Sequence, residues 1–175
     1  MKYFTRDLYR RCQSTDDDVS DVASEEWEQA NQRYEQHLRA IEPRLPAHVR
    51  EFNSLLLHDA MVQSISRQGG HLLLVLHKDI PPHDLVFLDY ELDGDPVIEP
   101  FTDSPRDWSK PTDFNFDEFD VLDAGDRTVY TESIVFGNGW VLHLRFRDVR
   151  ASLAQPLYPV VVGSNIGTPT FLPTA

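Results

Sequence analysis

The residues best suited to chemistry in this sequence are His58 and Asp59, which directly follow three leucines. A histidine beside an acid is typical of general base catalysis, in which a carboxylate orients the imidazole. Because adjacent side chains point in different directions, we expect Asp59 to be poorly placed to orient its own neighbour. We favour a structural role, with Asp59 in a turn between a helix and a strand and His58 half-buried against the sheet.

A metal-assisted hydrolase is the alternative interpretation of the same residues. His83 and Asp84 repeat the histidine–acid dipeptide, and together with His58 and Asp59 they would supply ligands that suit a divalent ion. Glu132, on a later predicted strand, is a further candidate for a catalytic carboxylate, although we expect it on a solvated face. No spacing matches a known metal cage, so we predict no cofactor and no metal site, and we favour a protein that is not an enzyme.

Four other carboxylates are candidates for contacts with a partner or ligand. Asp89 and Glu91 are two residues apart on a predicted strand and therefore share one face. Asp113 and Asp117 are spaced like the first ligands of a calcium loop, but Glu118 stands where an EF-hand requires glycine, so we reject an EF-hand. A third interpretation is a small-ligand site on the sheet face near Asp89, Glu132 and His143.

The negative charge of the chain is concentrated in its middle. The net charge is −13, and residues 79–126 hold 15 acidic residues against two basic ones. Such a surface repels nucleic acid and anionic membranes and attracts a basic protein. We therefore predict a basic protein partner, no nucleic acid and no membrane.

The cysteine content and the N-terminus indicate a cellular location. The single cysteine, Cys12, excludes an internal disulfide framework and a cysteine-rich zinc site. The first 13 residues are charged and lead into no apolar run of the kind that a signal peptide carries. No stretch approaches the ~18 apolar residues of a membrane span. We expect a cytoplasmic protein, and its oligomeric state stays open.

The elements that would position these residues follow from the spacing of the apolar side chains. Residues 1–57 show helical spacing, with a short helix from Thr5, a long helix capped by Ser24 and a third helix from Ala47. From Met61 onward apolar residues alternate as in strands, and Gly69-Gly70 and 137–139 are typical of hairpin turns. We predict one α+β domain over 1–155, with two or three N-terminal helices packed on an antiparallel sheet of five to six strands.

Three segments lie outside the regular pattern. Residues 14–22 are predicted to be a polar, acidic linker, and 99–120 an irregular acidic loop. Residues 156–175 form a Pro-rich tail.

Three short motifs resemble a known family. They are the start Met1-Lys2-Tyr3-Phe4-Thr5, the run Leu57-His58-Asp59-Ala60 before a strand and a Gly-containing turn, and the late Leu144-Arg145-Phe146-Arg147-Asp148-Val149. This combination resembles the bacterial DUF4085 family of uncharacterised proteins. More loosely, the Leu-His-Asp run before a hairpin is similar to small bacterial immunity and accessory proteins. The resemblance implies a helical N-terminus on an antiparallel sheet and carries over no activity. We expect a bacterial accessory protein that is not an enzyme and that uses an acidic surface.

Overall fold

The computed structural model describes residues 1–78, 80, 84–124 and 127–155. The N-terminal part of the chain is helical, and strands between Met61 and Ala154 form one antiparallel sheet. The helices are α1 (Arg6–Cys12), α2 (Asp17–Ile41) and α3 (Ala47–Asn53), with a 3-10 turn at Glu42–Arg44. The strands are β1 (Met61–Gln68), β2 (His71–His77), β3 (Leu85–Leu92), β4 (Val97–Pro100), β5 (Phe114–Ala124), β6 (Arg127–Phe136) and β7 (Trp140–Ala154). The predicted α+β class is confirmed, and within the described residues the sheet has seven strands where five to six were predicted.

The longest strand, β7, organises the sheet. The strand order is β1-β2-β3-β7-β6-β5, and β4 also pairs with β7. The first residues of β7 pair with β4, and its later residues pair with β3, so one strand holds two partners along the same edge. The strand β4 was missed by the sequence analysis because it has only four residues and ends in a proline.

The two glycine turns lie where the sequence predicts them. Gln68 pairs with His71 across the first turn, where Gly69 has φ 59°. In the second turn Gly139 has φ 86°, and a Cβ there would lie 2.3 Å from the Thr102 hydroxyl oxygen. Glycine is therefore required at 139 by its backbone conformation and by this close approach.

The helix α2 begins earlier than the sequence analysis predicted. It starts at Asp17 rather than after Ser24, so the predicted linker over 14–22 is wrong for most of its length. The Asp16 carboxylate accepts hydrogen bonds from the backbone N–H groups of Asp18 at 3.1 Å and Val19 at 3.4 Å. Acidic residues near a helix N-terminus are stabilised by these bonds and by the helix dipole, so an acidic run can begin a helix.

The predicted acidic loop over 99–120 is also wrong at its ends. Residues up to Pro100 belong to β4, and the strand β5 begins at Phe114. The pairing register of β5 with β6 shifts between Phe114 and Phe116. This bulge lets Phe114 and Phe119 both be buried, although simple alternation would place them on opposite faces.

The helix α2 covers the β5 edge of the sheet. The Tyr34 hydroxyl accepts a hydrogen bond of 2.6 Å from the Phe119 backbone N–H, and the His37 Nε2 lies 2.9 Å from an Asp120 carboxylate oxygen. The Glu118 carboxylate accepts the backbone N–H groups of Lys2, Tyr3 and Phe4 at 2.6–2.7 Å. These contacts hold the N-terminal segment and α2 against β5, and they cover an edge that another chain could otherwise pair with.

Candidate functional site

The His58–Asp59 pair lies on the surface at the junction of the helical part and the sheet. Asp59 has a left-handed backbone with φ 64°, and its N–H donates a 2.8 Å hydrogen bond to the Phe114 carbonyl. His58 Nδ1 lies 2.9 Å from Asp59 Oδ2, and the two side chains are 67% and 61% exposed. The expectations that Asp59 would not orient its neighbour and that His58 would be half-buried are therefore wrong. The left-handed turn breaks the regular alternation and brings the two side chains together in solvent.

The metal site is not assembled by the described residues. His83 lies outside them, and Asp84 is buried just before β3. In the part of the chain that the structure describes, no three His, Cys, Asp or Glu side chains are grouped so that they could hold a metal ion.

Seven of the described carboxylates of the acidic middle segment are paired with bases from the rest of the chain. Asp93, whose side chain is only 5% exposed, lies between three guanidinium groups at 2.9–3.1 Å. Among the described residues of the segment the pairs include Asp89–His71, Asp93–Arg127, Asp93–Arg145, Asp93–Arg147, Asp95–Arg67, Glu99–His143, Asp103–Arg6, Asp120–His37 and Asp123–Arg44. The local excess of acid in the sequence is thus reduced by tertiary pairing, which leaves less free negative surface than the sequence indicates.

The four predicted partner-binding carboxylates do not share one site. Asp89 and Glu91 lie on β3, and Asp117 lies on β5, which is separated from β3 by β7 and β6. Asp113 immediately precedes β5, and its side chain lies against the backbone of Gly137, where an added Cβ would meet Oδ1 at 1.9 Å.

The predicted small-ligand site near Asp89, Glu132 and His143 is also not formed. Glu132 lies on the core face of the sheet, whereas His143 lies on the other face with its Nδ1 2.8 Å from the Ser133 hydroxyl oxygen. Asp89 also lies on that other face, between the buried Leu88 and Tyr90. The three side chains therefore point to opposite sides of the sheet.

A pocket of about 690 Å³ lies between α1, α2, the 55–58 segment and the start of β5. Its lining includes six aromatic side chains, those of Phe4, Tyr9, Trp27, Tyr34, Phe114 and Phe116. The ring of Trp27 contacts the Phe4 ring at 4.8 Å and meets the Phe116 ring edge-on at 5.1 Å between centroids. The polar lining includes Asp117, Glu28, Asn31, His58 and Cys12. The pocket thus combines an aromatic wall with carboxyl groups.

Asp117 is the carboxyl group whose chemistry the pocket changes most. It is half-buried, and burial together with the neighbouring Glu118 charge raises its pKa from 3.8 to about 7. Among the described residues it makes no ion pair with a lysine, arginine or histidine. The group is therefore partly protonated near neutral pH and has no basic counter-charge of its own.

Glu132 lies next to Asp117 on the core face of the sheet. Ile134 of β6 is opposite Asp117 and Phe119 of β5 is opposite Glu132, so the two carboxyl groups are diagonal neighbours. Glu132 is 1% exposed, and its Oε2 makes no hydrogen bond of ordinary geometry. Burial and the Asp117 charge raise the Glu132 pKa well above its usual value.

Tyr90 on β3 completes this buried group. Its hydroxyl makes no hydrogen bond of ordinary geometry, but it interacts with Glu132, and burial and the Glu132 charge raise the Tyr90 pKa. The expectation that Glu132 would lie on a solvated face is wrong. The alternation of Tyr130, Glu132 and Ile134 is the signal that could have placed it in the core, because its neighbours two residues away are apolar.

No protein-family model matches the chain, and a search of curated proteins finds none that is similar to it. Among the described residues no helix is both long and apolar enough to cross a membrane.

Proposed function

We propose that this protein is a non-enzymatic binding protein, of the accessory or immunity-like kind, that accepts a cationic side chain of a basic protein partner in the aromatic pocket. The observation that carries the proposal is the Asp117 carboxyl group. It lies in an aromatic-walled pocket and has no basic partner among the described residues. Seven other carboxylates of the acidic segment already pair with bases of the chain itself. Among the described carboxylates of the segment, Asp117 is the one that lines the aromatic pocket, which makes this pocket the better place for a foreign cation.

The composition of the pocket suits a lysine or arginine side chain. Aromatic faces such as those of Trp27 and Tyr34 attract cations, by about 0.5–2 kcal/mol for each well-placed contact. A carboxylate in the same pocket supplies the opposite charge, and the aliphatic stem of the guest would contact Phe4 and Phe116. A free small amine has the same chemistry, and the experiment below separates it from a protein side chain.

The rival interpretation, a metal-assisted hydrolase, has no comparable observation in its favour. His58 lines the pocket mouth but pairs with the exposed Asp59. The resemblance to the DUF4085 family, the bacterial origin and the cytoplasmic location stay predictions.

The test is a titration of the isotopically labelled protein, followed by NMR, with acetyl-Gly-Lys-Gly amide and with the same peptide carrying norleucine in place of lysine. We expect saturable shifts at Trp27 and Phe116 with the lysine peptide and much weaker ones with norleucine. Asp117→Asn should weaken lysine binding at least tenfold, because it removes the charge and keeps the shape.

The matched control is Asp21→Asn, which removes one exposed carboxylate of α2 outside the pocket. It should leave the affinity within twofold of that of the unaltered protein. Equal binding of the two peptides, or equal affinity in the two variants, would contradict the proposal. If ethylamine binds as tightly as the peptide, the ligand is a small amine rather than a protein side chain.

A further inference from the structure

The Asp117–Glu132 pair has a geometry that links the pocket to proton binding. The two carboxyl groups are diagonal neighbours on adjacent strands, Asp117 borders the pocket, and Glu132 lies behind it with almost no exposure. One oxygen of Glu132 has no hydrogen-bond partner of ordinary geometry. Ionising both carboxyl groups at neighbouring buried positions costs free energy, because like charges repel and burial disfavours the charged form. In the isolated protein, bound protons therefore reduce the negative charge of the pair.

The groups around this pair supply little positive charge. The titratable groups that line the pocket or act electrostatically on the pair are Tyr90 of β3, Tyr34 and Glu28 of α2, Tyr9 and Cys12 of α1, Glu118 of β5 and His58 of the 55–58 segment. The Glu118 carboxylate, which raises the pKa of Asp117, accepts hydrogen bonds from three backbone N–H groups of the N-terminal segment. His58 is the one basic side chain in this set, and it is directed to the exposed Asp59.

We propose that a cationic group entering the pocket displaces the proton held on Asp117 into solvent, while Glu132 keeps its own proton, so that binding strengthens as the pH rises. This inference rests on the proposed function, because it requires a cation in the pocket. The ammonium or guanidinium group takes over the role of counter-charge from the departing proton. No covalent bond is formed or broken except the O–H bond of Asp117, whose proton passes to water or buffer.

The direction of the effect follows from the state of Asp117 before binding. Burial raises its pKa to about 7, so half of the molecules carry the proton near that pH. Ligand affinity should therefore rise by about tenfold between pH 6 and pH 8 and change little above pH 8, as linkage requires for one proton. At pH 7 about half a proton should be released for each ligand bound.

The experiment is isothermal titration calorimetry with acetyl-Gly-Lys-Gly amide at pH 7 in phosphate and in Tris, two buffers with different heats of ionisation. The difference in the measured heat gives the number of protons released. The same titration at pH 6 and pH 8 gives the change in affinity. The supporting result is a release of about half a proton and a tenfold rise in affinity.

Two variants assign the proton to one carboxyl group. Glu132→Gln mimics a protonated Glu132 in shape and charge, so it should keep both the proton release and the pH dependence. If Glu132→Gln abolishes the release while binding persists, the proton comes from Glu132 and the assignment is overturned. Asp117→Asn should lose the release together with most of the affinity, and circular dichroism checks that it folds.

The outcomes for the inference and for the proposed function are distinct. Absence of lysine-peptide binding at pH 6, 7 and 8 refutes the proposed function and with it this inference. Binding with no proton release and with an affinity independent of pH refutes the inference alone.

Discussion

Replacing Asp117 by asparagine should make the folded protein more stable at neutral and alkaline pH. The Asp117 pKa is raised from 3.8 to about 7 in the folded state. The folded protein therefore binds more protons than the unfolded chain between pH 4 and pH 7, and its free energy of unfolding falls as the pH rises through that window. Asparagine has nearly the same shape and carries no charge, so it avoids this loss.

The magnitude follows from the difference between the two pKa values. At ~1.4 kcal/mol for each pH unit, the unaltered protein loses about 4 kcal/mol of its free energy of unfolding above pH 7, and this loss vanishes below pH 4. This is an upper limit, because Asp117 is half-buried at a pocket that water enters. We expect Asp117→Asn to gain about 1–4 kcal/mol over the unaltered protein at pH 8, and the gain to shrink steadily towards pH 4.5.

The assay is urea denaturation followed by circular dichroism at one-unit intervals from pH 4.5 to pH 8.5. Asp21→Asn serves as the control, because it removes the same charge from an exposed position and should shift the curve only slightly. Parallel pH curves for the unaltered protein and Asp117→Asn would show that the folded state does not raise the proton affinity of Asp117. If Asp117→Asn is less stable than the unaltered protein at pH 8, the predicted direction of the effect is wrong.

Two further predictions concern the elements that frame the pocket. Tyr34→Phe should lower the free energy of unfolding by about 1–3 kcal/mol in the same assay, because it leaves the buried Phe119 N–H without its acceptor; a loss below ~0.5 kcal/mol would mean that water replaces the hydroxyl. Asp59→Gly should keep or slightly raise the stability, whereas Asp59→Ala should cost ~1 kcal/mol relative to glycine because of the left-handed backbone. Equal stability of these two Asp59 variants would show that the backbone conformation at this position carries no strain.

The class of fold could be predicted because it depends on the local spacing of apolar residues. The change from helical spacing before Leu57 to alternation after Met61 gave the α+β order, and glycine requirements placed the turns at Gly69 and Gly139. The errors in the predicted elements arose where the spacing of apolar residues does not reflect the secondary structure. A bulge at the start of β5 hides its alternation, and Asp16 begins a helix in what reads as an acidic linker.

The candidate site could be predicted only in part. Asp117 and Glu132 were both identified as carboxylates of interest, but as members of different sites, with Asp117 in an irregular acidic loop and Glu132 on a solvated sheet face. The sequence contains the residues, whereas their proximity depends on the pairing register of β5 with β6, which local spacing does not specify.

The sequence by itself determined the helical start, the strands of the antiparallel sheet and its glycine turns, because each depends on residues close together in the chain. The total charge follows from the composition alone. Only the tertiary structure decided which charged groups are paired, exposed or buried. It paired seven acids of the middle segment with arginines and histidines from both ends, and it turned His58 and Asp59 to the surface. It also placed Asp117 and Glu132 side by side at an aromatic pocket. The physical reason is that a charge is governed by burial and by its neighbours in space, and residues far apart in the chain supply both.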